Sequence, residues 1–312
     1  MKIIITGISG YLGFELAKAL PKYEIIGIDI NEPKKGFPNN VIFYKESILN
    51  PHISDIFSLH KPEVCIHLAW VVSPIHNKNK AYNIDCNGTK NIFSNCRQFH
   101  VRHIIFMSST LAYGALKDNP ELLTEEDPLR ARSTFHYSYH KRLVELEIVH
   151  PFINENKNIL VTILRPPGFL GPMANNYISS ILKAKLLPVM IGGRFTKIQF
   201  IYIDDLLEVI ELIVSKSIAG IFNVTPDNTI LMKDLPNLLS GHKIYIPESI
   251  ARFLIRIAWF FRLYKAPSSY LDFVRYEFNA SNEKIKRELG WNPQYTTEQA
   301  IKSLLKNEKE KN

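Results

Sequence analysis

The 312-residue sequence predicts an α/β protein built on a doubly wound parallel sheet. Three observations point there. A glycine-rich turn follows the first apolar run, β-branched runs alternate with helix-periodic segments through the first half, and a Tyr–Lys pair one helical turn apart follows the fifth run.

Residues 3–5, 25–28, 41–44, 64–68, 104–107 and 160–164 read as strands, with helices between them starting near Gly10, Ser54, Asn79 and Phe135. This alternation requires right-handed crossovers between parallel strands. Runs apolar at consecutive positions imply strands buried on both faces. After Arg165-Pro166-Pro167-Gly168 the character changes, with Pro and Gly recurring at Gly171-Pro172, Pro188 and Gly192-Gly193. Strand-like stretches at 199–203 and 220–224 are placed with the main sheet. The expected division is a dinucleotide-binding domain over 1–169 plus about 198–225, and a smaller substrate-binding domain over 170–197 and 226–312.

The net charge of +8 invites a nucleic-acid partner, yet the basic residues are spread along the chain, and the compact run 306–311 contains Glu308 and Glu310. No nucleic-acid role is expected. Cys65, Cys86 and Cys96 show no metal-ligand spacing, and Cys65 sits inside an apolar strand pattern, which fits a reducing compartment. The first residues run straight into a strand, with no leader pattern and no transmembrane segment, so a cytoplasmic protein is expected.

Thr6-Gly7-Ile8-Ser9-Gly10-Tyr11-Leu12-Gly13 follows a strand and opens a helix. Gly7 allows the tight turn, Gly10 lets the backbone approach a pyrophosphate, and Gly13 lets helix pack on strand. The helix N-terminus offers free N–H groups to phosphates. Asp29 ends the second strand, where its carboxylate would accept hydrogen bonds from an adenosine ribose. That favours NAD over NADP, although Lys34 and Lys35 nearby keep NADP open.

Tyr137 and Lys141 lie one above the other on one helix face. From there Lys141 can hold its charge near the phenol oxygen and favour the phenolate, the form able to take a proton. Ser108 and Ser109 end the preceding strand at the carboxyl edge of the sheet, where open α/β folds bind ligands.

The glycine loop, His67-Leu68-Ala69, Asn87-Gly88-Thr89, the segment from Ser108-Ser109 to Tyr113-Gly114, and Tyr137-x-x-x-Lys141 together resemble the extended short-chain dehydrogenase/reductase family of nucleotide-sugar epimerases and dehydratases. Leu164-Arg165-Pro166, Tyr202-Ile203-Asp204-Asp205 and Glu288-Leu289-Gly290-Trp291-Asn292-Pro293 extend the resemblance over nearly the whole chain. It implies a Rossmann-type fold, an NAD cofactor and a homodimer through the helices carrying Asn87 and Tyr137. Ser109 would hydrogen-bond the reacting oxygen, Tyr137 would be the acid/base, and Lys141 would contact the nicotinamide ribose and lower the tyrosine pKa. Leu68, Ala69 and Asp85 would join the glycine loop at the cofactor; Thr110 and Arg194 would join Ser109 at the substrate.

Departures qualify the substrate. Thr110 and Leu111 replace the Asp-Glu pair of the 4,6-dehydratases, which disfavours elimination. Asp85 stands for a common Asn, Ser47 for an acid near the adenine, and Gly168 for an Asn that touches sugar. Ile198 and Gln199 occupy the stretch of a phosphate-binding Arg, which Arg194 or Lys197 could replace. The leading expectation is an NAD-dependent epimerase of a nucleotide-linked sugar acting through a transient ketone. The alternative is a reductase or dehydrogenase of an apolar, lipid- or sterol-like alcohol or ketone. A catalytically silent dinucleotide sensor is disfavoured by the presence of Ser109, Tyr137 and Lys141.

Three features complete the reading. Apolar residues at 250, 253, 254, 257, 261 and 264 form a helical stripe with Arg252 and Arg256 on another face. That stripe is expected to pack on the substrate domain or a partner subunit, with a membrane surface or a greasy substrate as the alternative. His67 reads as a packed strand-end residue without a metal, and Asp204-Asp205 as a helix cap.

Overall fold

The structure, a computed structural model, describes residues 1–33, 36–175, 177–184, 186–191, 196–239, 241–264 and 267–309, of which 177, 186–191 and 305–309 by backbone alone. The predicted strands appear as β1 (Lys2–Thr6), β2 (Glu24–Asp29), β3 (Val41–Lys45), β4 (Val64–His67), β5 (His103–Met107) and β6 (Leu160–Arg165). With Gly220–Asn223 they form a seven-stranded parallel sheet in the order Gly220–Asn223, β6, β5, β4, β1, β2, β3. Winding reverses between β1 and β4, so the loops leaving these two strands splay apart and open a crevice at the carboxyl edge.

Strand side chains alternate between faces, and both faces are covered. Ile3, Ile5, Ile66 and Ile105 pack under Leu12 and Leu16 of α1 (Tyr11–Ala19) and under Leu206 and Ile210 of the Ile203–Lys216 helix. Ile4, Ile26, Cys65, Ile104 and Ile163 pack against Phe57 of α2 (Ile53–His60) and Phe93. After α3 (Lys78–Tyr82), Phe93 rides on α4 (Gly88–Gln98). Val144 of α5 (His136–Val144) and Phe152 of α6 (His150–Glu155) complete that layer. All three cysteines are free and buried there. Wide turns of π type, Asn83–Asn87 and Glu145–Val149, interrupt the two longest helical runs on this side. Each brings one fully buried carboxylate inward, Asp85 and Glu145.

Two expectations require correction. The Phe200–Tyr202 strand does not rejoin the sheet; it pairs with Gly168–Leu170 in a separate two-stranded ribbon. Pro166 and Pro167 offer no N–H to continue the ladder of β6, so the chain leaves the sheet there. Neither Asp204 nor Asp205 provides a side-chain cap for the Ile203–Lys216 helix. Asp205 instead accepts the Gln294 and Tyr295 amides at 2.9 and 3.2 Å. Beyond the sheet edge, Leu170, Leu182, Phe200, Leu235, Phe278 and Leu304 belong to a further apolar cluster.

Candidate active site

The glycine loop is built by exclusion of side chains. Gly7 adopts φ +75°, and a Cβ there would stand 2.7 Å from the Ala69 amide nitrogen. A Cβ on Gly13 would stand 2.6 Å from the Gly7 carbonyl oxygen. Only glycines let the β1 turn, the β4 end and the first turn of α1 close up this far. Gly10 at the N-cap has no side chain to cap α1, which leaves its first amides facing the crevice. Asp29 accepts the Ser9 amide at 3.1 Å and the Asn31 amide at 2.9 Å, while Ser9 Oγ donates to the Asn31 carbonyl. This cradle fits the pyrophosphate of a dinucleotide, with Asp29 beside it.

Behind the loop runs a buried polar chain. Thr6 Oγ1 lies 2.7 Å from His67 Nδ1, His67 Nε2 lies 2.9 Å from Thr89 Oγ1, and Thr89 donates to the Asp85 carbonyl. Burial pushes the His67 pKa down to about 3, so the ring is neutral and both nitrogens are engaged, as a packed strand-end residue requires.

The end of β5 presents Ser109. Its backbone is extended, and its Oγ accepts the Leu111 amide and donates to the Pro166 carbonyl, each at 3.2 Å. Tyr137 lies in the first turn of α5 and lines the same cavity as Ser109. Burial pushes the phenol up to about 12, partly opposed by the Ser109 hydroxyl and reinforced by Asp85. Lys141, one turn on, points elsewhere than its spacing alone implies. Its Nζ donates to the Met107 carbonyl at 2.5 Å and lies 3.4 Å from the centroid of Trp70, but 5.8 Å from that of Tyr137. Burial brings the ammonium down to about 7, while Asp85 and Glu145 pull it back up.

Two residues expected at the ligands act otherwise. Thr110 is fully buried with no partner for its hydroxyl among the described residues, because the tight turn Thr110–Tyr113 rotates it inward and puts Leu111 on the cavity wall. Asp85 faces protein: it accepts the Val71 amide and pairs with His140 Nδ1, both at 2.8 Å. Lys197 turns to Glu121, away from the cavity. Arg194, Lys34 and Lys35 lie outside the described residues.

Gly7, Gly10, Tyr11, Leu12, Gly13, Leu68, Ser109, Tyr137 and Lys141 all line one cavity of about 910 Å³. The same cavity is walled by side chains such as Phe135, Phe169, Phe200, Leu235, Phe273 and Phe278. Apart from Lys141, its described cationic lining is Lys233 and Arg275, and Arg275 is paired with Glu248. Gly168 belongs to this wall; a Cβ there would meet Ile178 and Phe200. Sequence reasoning located Trp70 near the cleft but not these aromatics, which come from segments more than a hundred residues apart.

Residues 3–225 match the model of the NAD dependent epimerase/dehydratase family. Among curated proteins, an uncharacterised protein of Mycobacterium tuberculosis is 24% identical over 96% of this chain and 82% of its own length. A sterol-4-alpha-carboxylate 3-dehydrogenase of Schizosaccharomyces pombe is 24% identical over 80% of this chain and 77% of its own. Among solved structures, UDP-glucose 4-epimerase of Thermotoga maritima superposes with a TM-score of 0.78 at 20% identity, over 100% of this chain and 99% of that one. The UDP-glucuronic acid 4-epimerase of Bacillus cereus, in complex with NAD, gives 0.75 at 20% identity over 99% of both. The glycine cradle, the Ser109–Tyr137–Lys141 cluster at the switch point and a family match over most of its length establish that this chain belongs to the NAD dependent epimerase/dehydratase family, as an NAD-dependent enzyme of the extended short-chain dehydrogenase/reductase type.

Proposed function

We propose that this enzyme oxidises or reduces an apolar secondary alcohol or ketone, with a lipid- or sterol-like body held against the aromatic wall of the cavity. The observation that carries this reading is the wall in front of Ser109 and Tyr137, which is built of aromatic and aliphatic side chains. Such a wall gains free energy by removing apolar surface from water and offers little to a diphosphate.

Gly7, Gly10 and Gly13 with the α1 amides would hold the cofactor pyrophosphate, and Asp29 the adenosine ribose. Bound NAD supplies the hydride acceptor, or NADH the donor. Ser109 Oγ orients the substrate oxygen toward the Tyr137 hydroxyl. Tyr137 donates a proton to that oxygen in reduction and receives it back in oxidation. The chain's own groups hold the phenol protonated at neutral pH, which suits it to donate. Lys141, its Nζ between Trp70 and the Met107 carbonyl, would meet the cofactor ribose.

The second reading, epimerisation of a nucleotide-linked sugar without net redox, is favoured by the family match over residues 3–225 and by a cavity large enough for such a ligand. The two readings separate in one experiment. Purified protein is given NAD with detergent-solubilised sterols and long-chain secondary alcohols, or with UDP-sugars. Net NADH formation with the apolar alcohols is expected, falling by about 100-fold or more in Tyr137→Phe. Interconversion of UDP-sugar epimers without net NADH would overturn the first reading in favour of the second.

A further inference from the structure

Apart from Tyr264, which lines the large cavity, the 250–264 stripe is exposed. Residues Glu248–Phe260 form a helix, as the spacing predicts, but its large apolar side chains face outward. Phe253 is 63% exposed and Phe260 78%, with Leu254, Ile257 and Phe261 beside them. Leu263 just beyond is 81% exposed, and Ile244 and Tyr245 of the adjoining His242–Pro247 strand are also exposed. This replaces the expected burial against the substrate domain. The reason lies in the other face, where Ala251 and Ile255 line the large cavity. The helix has only one inner face to give, and the cavity takes it.

The helix is firmly held at both ends. Arg252 pairs with Glu248 and Asp272, Glu248 also pairs with Arg275, and Trp259 stacks on His76 with ring centroids 3.8 Å apart. Its outward face is therefore a fixed surface. An apolar face of this size on a soluble fold marks an interaction site.

Charge chooses the partner. Residues 249–264 contain three arginines and no carboxylate. Arg256 and Arg262 are exposed, and neither forms an ion pair among the described residues. A second copy docked through the same stripe would bring a second set of these arginines to the rim of the contact, where residues 249–264 offer no carboxylate to pair with them. A bilayer containing anionic lipid offers phosphates to the arginines and an acyl boundary to the aromatic rings. No helix of the described residues is long and apolar enough to cross a membrane, so the helix would lie in the interface.

We propose that the Glu248–Phe260 helix docks the enzyme on anionic membrane surfaces, inserting Phe253, Leu254, Ile257, Phe260 and Phe261 between headgroups. The same helix then joins bilayer to cavity: an amphiphile leaving the lipid slides past Tyr264 and Ile255 toward Ser109 without crossing water. That passage rests on the apolar-substrate reading; the docking does not.

The test is co-sedimentation with vesicles of phosphatidylcholine alone or mixed with phosphatidylglycerol, with NADH binding as the check on folding. The wild type should favour the mixed vesicles by about tenfold or more. Phe260→Glu with Phe261→Glu should abolish binding to both, and Arg256→Gln with Arg262→Gln should remove the preference for the anionic lipid. All variants should bind NADH as wild type does. Wild type that binds NADH yet stays in solution with both vesicles would overturn the proposal. So would a dimer in sedimentation velocity that Phe260→Glu dissociates while vesicle binding is absent. Failure of the redox reading would show instead as no turnover of detergent-solubilised alcohols, with vesicle binding intact.

Discussion

Lys141 holds its ammonium 3.4 Å from the centroid of the Trp70 ring, a buried cation on an aromatic face rather than against the phenol one turn away. The ring and the Met107 carbonyl stabilise the charge, yet burial brings its pKa down to about 7. In the unfolded chain a lysine titrates near 10.4. Between these values the unfolded chain holds a proton that the folded chain does not, so stability rises with pH from about 7 to about 10. Urea midpoints measured across that range should climb in the wild type and flatten in Lys141→Met. Equal slopes in the two proteins would contradict the assignment.

Arg165 and Glu145 form a fully buried pair, closed by Ser108 and by Tyr113. Removing one partner leaves the other charge without compensation. Glu145→Gln should therefore destabilise the protein by about 3–5 kcal/mol in urea titration. Arg165→Met with Glu145→Leu should recover a large part of that loss, because no buried charge remains. A double variant no more stable than the single one would refute this account.

Asp29 does two things at once. It organises the glycine loop through the Ser9 and Asn31 amides, and its charge would repel a ribose 2′-phosphate. Asp29→Ser should weaken NADH binding and shift the NADPH-to-NADH affinity ratio toward NADPH by about tenfold or more. Fluorescence titration with both cofactors measures the ratio; an unchanged ratio would argue against Asp29 at the ribose.

Thr110 and Ser109 are neighbours with opposite fates. The buried Thr110 hydroxyl has no partner among the described residues, so Thr110→Val should be neutral or stabilising by up to about 1 kcal/mol. Turnover should stay within about twofold of wild type, while Ser109→Ala should lose about tenfold or more. Melting curves and initial rates on the same samples decide it. A large rate loss in Thr110→Val would restore Thr110 to the substrate site.

The sheet was legible because its strands are nearly continuous apolar runs and its glycines stand where side chains cannot fit. The meeting of Ser109, Tyr137 and Lys141 at one cavity was legible because a helical turn and a strand end carry their own spacing. What stayed hidden depends on contacts between distant segments. Spacing places Lys141 above Tyr137 but cannot show Trp70 arriving from the end of β4 to take the ammonium. The pairing of Asp85 with His140 crosses 55 residues, and the ring of cavity aromatics is assembled from several loops. The 250–264 stripe showed its period but not which way it faces, since amphipathicity reports a face and not its partner.

The link between Asp205 and the Gln294 and Tyr295 amides spans 89 and 90 residues. A ribosome delivers those amides several seconds after Asp205, at about 5–20 residues per second. All seven strands can emerge before that, so a growing chain passes through a stage with its sheet assembled and a buried carboxylate still waiting for its donors. The wall of the cavity that holds Ser109 and Tyr137, drawn partly from Tyr264 and residues 267–278, also arrives late. During that interval the apolar cavity stands open, and the helix that carries the exposed aromatics emerges before the wall is shut.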